Sequence, residues 1–520
     1  MRGKRASLIV NLRSGRTVVK VPEMVAILTA AGWKTDICLK EYSGETLPLA
    51  RQAAKDGHDL VIGYGGDGTL NAVVNGVLYA GGKSIVGDLP GGTFNEWAGE
   101  TTIPRNPVQA ALALVDSVMC PVDLGFFQIE GLTVPAMHRE HSGGEENEEA
   151  EQTERTEGRG ERGETGATAE IYEKPKKAGK YRQYFLLHAG LGVDAAIMAH
   201  INKPLKYEVG KIAFDLAGLK ELPWQHPFPV KIGSLNASGK PDLLWEGEVW
   251  QIVVNNTRRY AGTIDLSPHA YIDDGMLDVT VIPAGGPLTT LEEAVSFLLL
   301  HTVDTKITRY FHGPHLSISV PASIELELDG NVVKLKDFLR KKERRALEYA
   351  GDTDKVMVHY RFDAVPAAAR IAFPSTYDGS MFEKPDHKKP FEQAAQQRKQ
   401  REEQLAAQQQ EHQSDGQAGQ EFSKVVEELQ QHGRKITVVG VTIHPQRAET
   451  YIIAGTYKAK NDGNIEPAAI RVDGHTLVLN RQGEQVIPLM VENLHEGEQI
   501  TVEGKRSKRG VIDADRVMML

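Results

Sequence analysis

The feature that most narrows the possible folds is a change of pattern across residues 58–80. HDLVIGY is an apolar run of strand length, and TLNAVVNGVLYAG carries apolar residues at helical spacing. Gly65-Gly66-Asp67-Gly68-Thr69 between them is therefore a strand-to-helix turn. A short apolar run that passes at once into an amphipathic helix is the unit of a sheet covered on both faces. The same alternation fills residues 6 to about 125, through ASLIVNL, VVKVPEMVAILTAAGW, TDICLK, LPLARQAAKDG and KSIVGDL. Residues 1–125 are thus expected to form an α/β domain with a mostly parallel sheet.

Glycines in such a turn let backbone N–H groups approach an anion at the helix N-terminus. Gly63 to Gly68 also satisfies G-x-G-x-x-G, with Asp88 twenty residues past Gly68, so a dinucleotide site stays open at this point. Asp67 would then sit inside a loop meant for pyrophosphate, and a Walker A lysine is missing. A plain tight turn is the third reading.

After the α/β stretch the pattern becomes β-rich. YRQYFLLHAGLG, FPVKIGSLN, LLWEGEVWQIVVNN, YIDDGMLDVTVIP, HLSISVPASIELELDG and KVMVHYRF predict an all-β sandwich over residues 126–376, with a helical stretch near LEEAVSFLLLHTV. Residues 139–180 lack large apolar side chains and read as a flexible acidic insert. Residues 377–433, rich in Gln, Glu, Lys and Arg, read as a linker that is partly helical at best. Residues 434–520 contain five or six strand-like runs, which fits a small OB-type β-barrel.

With 520 residues, 41% of them hydrophobic, the chain exceeds one core and should form three folded units. Its formal charge of −10 argues against a core that neutralises a nucleic-acid backbone. Cys38 and Cys120 read as buried thiols in a reducing cytoplasm. No run approaches the ~18 apolar residues of a membrane span. A lipid substrate would have to be reached from the water side.

GGDGTLNAVVNG resembles the signature of the diacylglycerol kinase catalytic family, which is related to the NAD kinases. Asn11-Leu12-Arg13-Ser14-Gly15 is similar to the family's N-P-x-S-G turn, and Gly92-Thr93-Phe94-Asn95-Glu96 to its G-T-x-N-D turn. Gly190-Leu191-Gly192-Val193-Asp194-Ala195 resembles G-x-G-x-D-A, and Ser267-Pro268-His269-Ala270 with Asp273-Asp274-Gly275-Met276-Leu277-Asp278 resembles a-P-x-A…D-D-G-x-L-D. Leu328-Asp329-Gly330 looks like the D-G-E turn. The resemblance spans residues 5–373 and implies an α/β domain and a β-sandwich with ATP and a lipid meeting between them.

That resemblance implies roles by residue. Gly65, Gly66, Gly68 and Thr69 would hold the phosphates of ATP, with Asn11, Ser14, Gly15, Asn71 and Thr93 completing the nucleotide pocket. Lys40, where the family usually presents a nucleotide-contacting threonine, is either a phosphate contact in that pocket or a solvated surface charge. Asp329 would be the general base, and Asp67 would arrange a Mg²⁺–water network, although the two roles can be exchanged. A second Mg²⁺ would be held by Asp274 with the carbonyls of Tyr271 and Met276; the alternative is a β-turn that needs no ion. Thr93 and Asn95 can also be read as a helix cap before EWAGE. The partners implied are ATP and a membrane lipid such as diacylglycerol, contacted peripherally from the cytoplasm at the inner face of the membrane. A homo-oligomer is compatible with the sequence, which carries no signal for one.

The pattern is broken in places. The D-G-E turn reads Asp329-Gly330-Asn331, G-T-x-N-D ends in Glu96, and Arg13 replaces a proline. VVKLKDFLRKKERRALEY is a basic amphipathic insertion that suits either anionic headgroups or an ordinary surface helix. A metabolite kinase of the NAD-kinase type and a degenerate kinase serving as a scaffold stay open. The latter is suggested by Asn331 and by the basic turn from Gly504 to Gly510.

Overall fold

A computed structural model describes residues 4–12, 20–135, 168–172, 182–193, 195–196, 226–235, 240–260, 264–284, 308–412, 423–447, 449–459, 464–480, 485–486, 488–507 and 510–520. Strands β1 (Arg5–Asn11), β2 (Lys34–Lys40), β3 (Leu60–Gly65) and β4 (Ile85–Pro90) are parallel, in the order β4-β3-β1-β2. Helices α1 (Val21–Ala30), α2 (Thr46–Lys55) and α3 (Asp67–Tyr79) connect them, and α4 (Glu96–Glu100) and α5 (Pro107–Val115) follow. All of β3 is buried, as a central strand covered on both faces must be. Asn106 caps α5 through Val108 N, with Pro107 in the first turn. The chain leaves β1 for β2 on one side and returns to β3 on the other. The crevice at the carboxyl ends of β1 and β3 is therefore a topological switch point, where α/β sheets bind ligands.

The second unit is built from β5 (Ser117–Pro135), β6 (Thr168–Tyr172), β7 (Arg182–Phe185), β8 (His188–Gly192), β9 (Phe228–Leu235), β10 (Pro241–Asn255), β11 (Arg259–Tyr260), β12 (Ile264–Asp265), β13 (Leu277–Pro283), β14 (Arg309–Gly313), β15 (His315–Pro321), β16 (Leu326–Leu328), β17 (Asn331–Val333) and β18 (Met357–Pro374). Strands β17-β16-β8-β10-β9-β15-β18 lie side by side, and β18 continues into β4 through Ile371 and Val86. One sheet thus runs through both units. The boundary expected at residues 125/126 falls inside β5, which pairs with β18 from Ser117 to Thr133. Val122, Leu124, Phe127, Ile129 and Leu132 are buried on both sides of that point, so the strand pattern has no reason to stop there. β6 pairs with β5, so that end of the expected flexible insert belongs to the sheet. The rest of the insert and the stretch LEEAVSFLLLHTV lie outside the described residues.

After β17 come α6 (Leu335–Phe338) and α7 (Lys341–Ala350), and after β18 come α8 (Pro385–His412) and α9 (Ser423–His432). α8 is a 28-residue helix, where a segment partly helical at best was expected. Its Gln, Glu, Lys, Arg and Ala content is that of a good helix former. An aromatic cluster of Trp97, Phe373, Tyr377, Phe382 and Phe391 anchors its beginning.

The C-terminal strands are β19 (Arg434–Ile443), β20 (Tyr451–Lys458), β21 (Ile465–Val472), β22 (Leu477–Leu479), β23 (Gln485–Val486), β24 (Gln499–Arg506) and β25 (Val511–Met519). Five of them, in the order β21-β20-β19-β24-β25, close into a barrel through the β21–β25 pairing. The barrel packs directly on the α/β unit. Ile452, Ala454, Ala469 and Val511 share one core with Met24, Ala26 and Ile27 of α1. The Arg471 guanidinium donates to Ala30 O at 3.3 and 3.1 Å, and Gln109 Nε2 donates to Glu496 at 2.8 Å.

Deleting residues 434–520 uncovers this face of α1. Tm of the remaining chain, read by thermal unfolding, is expected to fall by several °C, since ~1 kcal/mol moves Tm by roughly 2–4 °C in domains of this size. An unchanged unfolding curve would show that the shared core does not stabilise the α/β unit.

Candidate active site

β3 ends at Gly65, Gly66 is the N-cap of α3, and Asp67 starts the helix, which puts a helix N-terminus at the switch point. From the end of β1, Asn11 Nδ2 donates to Thr69 Oγ1 at 3.1 Å. A Cβ on Gly65 would overlap Thr69 Oγ1, and one on Gly92 would overlap the Cα of Gly66. The Gly66 and Gly92 turns are therefore in backbone contact, and Gly91 N donates to Gly65 O at 2.7 Å. Asn95, at φ 51°, closes the second turn on itself: its Oδ1 accepts Gly92 N at 2.8 Å and its Nδ2 donates to Gly92 O at 2.9 Å.

The cap of α4, expected from Thr93 or Asn95, comes from Asp67, whose Oδ1 accepts Trp97 N at 3.2 Å. Asn95 stands at the N-cap position without a side-chain cap bond, because its amide is committed to Gly92. Burial raises the Asp67 carboxyl, and the N–H groups of Glu96 and Trp97 work against that rise. Lys40 is the register partner of Asn11 at the same sheet edge, and Thr93 lies in the turn before α4. Ser14 and Gly15, together with Arg13, lie outside the described residues.

The opposite wall is the hairpin β16–β17. Its two-residue turn is Asp329-Gly330, with φ of 46° and 77°, the positive values a type I′ turn requires. Asp329 is 1% exposed, and four N–H donors meet its two oxygens. Oδ1 accepts Leu187 N at 2.9 Å and His188 N at 3.0 Å; Oδ2 accepts Leu186 N at 2.7 Å and Asn71 Nδ2 at 2.5 Å. Burial pushes Asp329 up to about 6, against the His188 charge and these donors. Asn71, on α3, also donates to Tyr184 O at 3.0 Å, so both its amide protons serve this junction. Asn331 lies against Gly68, where an added Cβ would overlap its Nδ2. The phosphate-loop motif and the D-G turn, 258 residues apart between Asn71 and Asp329, thus close on each other.

Residues 5–127 match the family model for the diacylglycerol kinase catalytic domain, and residues 188–335 match that for the YegS C-terminal NAD kinase beta sandwich-like domain. The chain thus carries a diacylglycerol kinase catalytic domain followed by a YegS-type C-terminal domain. A diacylglycerol kinase of Bacillus subtilis is 26% identical over 330 residues, covering 63% of this chain and 89% of that protein. A probable lipid kinase YegS-like of Pseudomonas aeruginosa is 25% identical over 315 residues, covering 60% of this chain and 82% of its own length. A crystal structure of a diacylglycerol kinase from Bacillus anthracis superposes with a TM-score of 0.44 at 17% identity, covering 72% of this chain and 98% of that one. The barrel lies beyond both family matches.

The turn resembling the family's metal element is closed by protein donors. Asp274 Oδ1 accepts Met276 N at 2.8 Å, the bond of a self-sufficient turn, while the Arg258 guanidinium stacks on the Tyr271 ring at 5.0 Å. Asp123 accepts Gly275 N at 2.6 Å. Asp273 accepts Glu383 N, Lys384 N and His387 Nδ1, and Lys384 Nζ donates to Asp273 O. Burial raises the Asp274 carboxyl, as do the nearby acids Asp123, Glu383 and Asp273. Among the described residues no three His, Cys, Asp or Glu side chains converge as metal ligands; the set expected at this turn is a single carboxylate, Asp274, with the carbonyls of Tyr271 and Met276.

Two buried residues beside Asp329, His188 and Glu327, escaped the sequence reading. His188 had a signal, a histidine inside the apolar run LLHAGLG; Glu327 had none, because in IELELDG it alternates with apolar residues as a solvent-facing strand position would. His188 lies 3.1 Å from Glu327 and 3.5 Å from Glu96.

Gly92→Ala forces the two turns apart and is expected to weaken ATP-analogue binding at least ~10-fold. Gly99→Ala, where an added Cβ meets nothing, serves as the control and should bind normally. Equal affinities in both variants, measured by calorimetric titration, would contradict the close approach.

Proposed function

We propose that the protein transfers the γ-phosphate of ATP to the hydroxyl of a membrane lipid, diacylglycerol or a close relative. The reading is carried by the Asn71–Asp329 contact, which brings a buried carboxylate onto the helix that starts at the phosphate loop. Phosphoryl transfer needs the γ-phosphate held, its charge neutralised and a hydroxyl aimed in line. The amides of Gly65 to Thr69 hold the phosphates, with Asn11, Lys40 and Thr93 at the same end of the sheet; Ser14 and Gly15, outside the described residues, are assigned to the pocket by the family resemblance alone. A Mg²⁺ ion bound with the nucleotide would supply neutralisation of the phosphate charge. Asp67, already fixed by the start of α4, orients water at that loop.

Asp329 accepts the proton of the lipid hydroxyl. Three of its four donors are backbone groups that cannot leave, so the hydroxyl displaces the Asn71 amide, the only side-chain donor, from Oδ2. Asn331 places an amide beside Gly68, where a glutamate would place a charge. The N–H of that amide can serve a phosphate oxygen directly.

A lipid is favoured over a soluble metabolite by the ground behind the hairpin. A cavity of about 260 Å³ there has a mixed lining, with Phe127, Ile129 and Leu326 on its apolar side and Ser323, Glu325 and Lys334 among its polar residues, so it offers an acyl chain apolar contact beside polar groups. Beside it α7 turns Glu343 and Leu347 inward and exposes Lys341, Lys342 and Arg345. These cations suit contact with an anionic bilayer from its aqueous side.

With γ-labelled ATP, label is expected in lipid on diacylglycerol vesicles, and faster when the vesicles contain anionic lipid; label only in a soluble metabolite would favour the rival kinase. Asp329→Asn should lower kcat by roughly 10²–10⁴-fold with ATP affinity nearly unchanged. Because the base must be ionised and protonates as pH falls through about 6, kcat should decline below that pH. Retained turnover in the variant would remove Asp329 from the role.

A further inference from the structure

We infer that His188 is a positioning residue of the transfer site: its ring, clamped between Glu96 and Glu327, locks the acceptor hairpin onto the nucleotide side and supplies a fixed positive charge beside Asp329. The activity readouts below rest on the kinase reading above; the spectroscopic one does not.

The peptide of His188 already belongs to the site. Its N–H donates to Asp329 Oδ1 at 3.0 Å, and its carbonyl accepts Asp329 N at 3.1 Å. The side chain then reaches both walls. Nε2 is 3.1 Å from Glu327 Oε1 on β16, and Nδ1 is 3.5 Å from Glu96 Oε2 at the start of α4. Glu327 uses its other oxygen, Oε2, to accept Gly330 N at 2.7 Å, inside the turn that carries Asp329. A continuous line runs from α4 through Glu96, His188 and Glu327 to Gly330 and Asp329. All three side chains are at least nine-tenths buried, and among the described residues Glu96 Oε2, His188 Nδ1 and Glu327 Oε1 make no hydrogen bond of good geometry, so the contacts joining them are ion pairs. Buried ionisable side chains that face one another with few other partners are costly to keep, and such an arrangement persists when their charges are needed.

The surroundings are strongly acidic. Glu96 and Glu100 on α4, Asp67 on α3, and Glu327 and Asp329 on the hairpin face this region, and the Tyr260 ring on β11 lies 4.8 Å from the imidazole. Burial opposes a charge on His188, yet Glu327 and Glu96 outweigh it and push the ring up to about 10. Its charge favours the ionised forms of Asp329 and Asp67, working against the rise that burial gives both carboxyls. The hairpin that lacks an acid at Asn331 carries one at Glu327, and that acid is spent on gripping His188.

The ring signal of His188 in NMR, assigned by its loss in His188→Gln, is the direct test. In the intact protein it should remain that of an imidazolium from pH 6 to 9, and in the Glu96→Gln/Glu327→Gln double variant it should titrate near the ordinary value of about 6.5. In His188→Gln the acidic limb of kcat should move up by roughly one to three pH units, because Asp329 loses a stabilising cation. Titration of the ring near 6.5 in the unmutated protein overturns the inference even if no variant folds. A folded His188→Gln protein with an unmoved acidic limb overturns it as well. An imidazolium signal in a protein that phosphorylates no lipid leaves the clamp standing and removes the kinase reading.

Discussion

A carboxylate sealed from water must have both oxygens hydrogen-bonded or give up its charge, and Asp329 meets that requirement with donors from two different units. Three are backbone N–H groups of residues 186–188, and the fourth is the amide of Asn71 on α3. The cradle exists only while the sandwich hairpin sits on the helix of the phosphate loop. Removing Asn71 would leave an acceptor short of a donor, and shifting the hairpin would strand the carboxylate. Much of the surrounding architecture acts to prevent either event.

Two features hold the hairpin in register. β5 and β18 are long enough to belong to both units, so the parallel sheet and the sandwich cannot rotate against each other without breaking the β18–β4 and β5–β18 pairings. Asn75 adds a second stitch from α3, donating to Tyr184 O and accepting Tyr184 N. On the far side, the barrel covers α1 and α5, while the chain entering α8 packs on Trp97 beside the start of α4. The barrel thereby extends the core of the α/β unit, with Arg471 and Gln109 satisfying groups at its edge.

What could be read from the sequence was local. The GGDGT turn, the strand-helix alternation around it and the barrel strands follow from residue spacing, because each depends on neighbours in the chain. What could not be read depends on partners far away. β5 runs through residue 125 although Pro121, Asp123 and Gly125 are turn-forming types; Gly125 is required there by packing, since an added Cβ would overlap the Phe185 ring, and that partner is 60 residues away. Asp67 looked like a group reserved for phosphate or metal chemistry, yet one of its oxygens caps α4, 30 residues onward. Asn71 looked like a phosphate donor, and both its protons go to Asp329 and Tyr184. The polar composition that suggested a loose linker is also the composition of a stable helix, and α8 is one. No short motif contains both His188 and Glu327; His188 is an ionisable residue in an apolar run, whereas Glu327 alternates with leucines like a solvent-facing residue and is buried only because the hairpin pairs with β8 and meets His188 there.

The central claim is that the closed junction between the phosphate loop and the D-G turn is where a nucleotide hands over its terminal phosphate. A crystal structure with a non-hydrolysable ATP analogue addresses it most directly. The analogue should lie at the carboxyl ends of β1 and β3, with its phosphates on the amides of Gly65 to Thr69 and its terminal phosphate facing Asp329. A nucleotide bound elsewhere, such as on the barrel, or with its terminal phosphate turned away from Asp329, would contradict it.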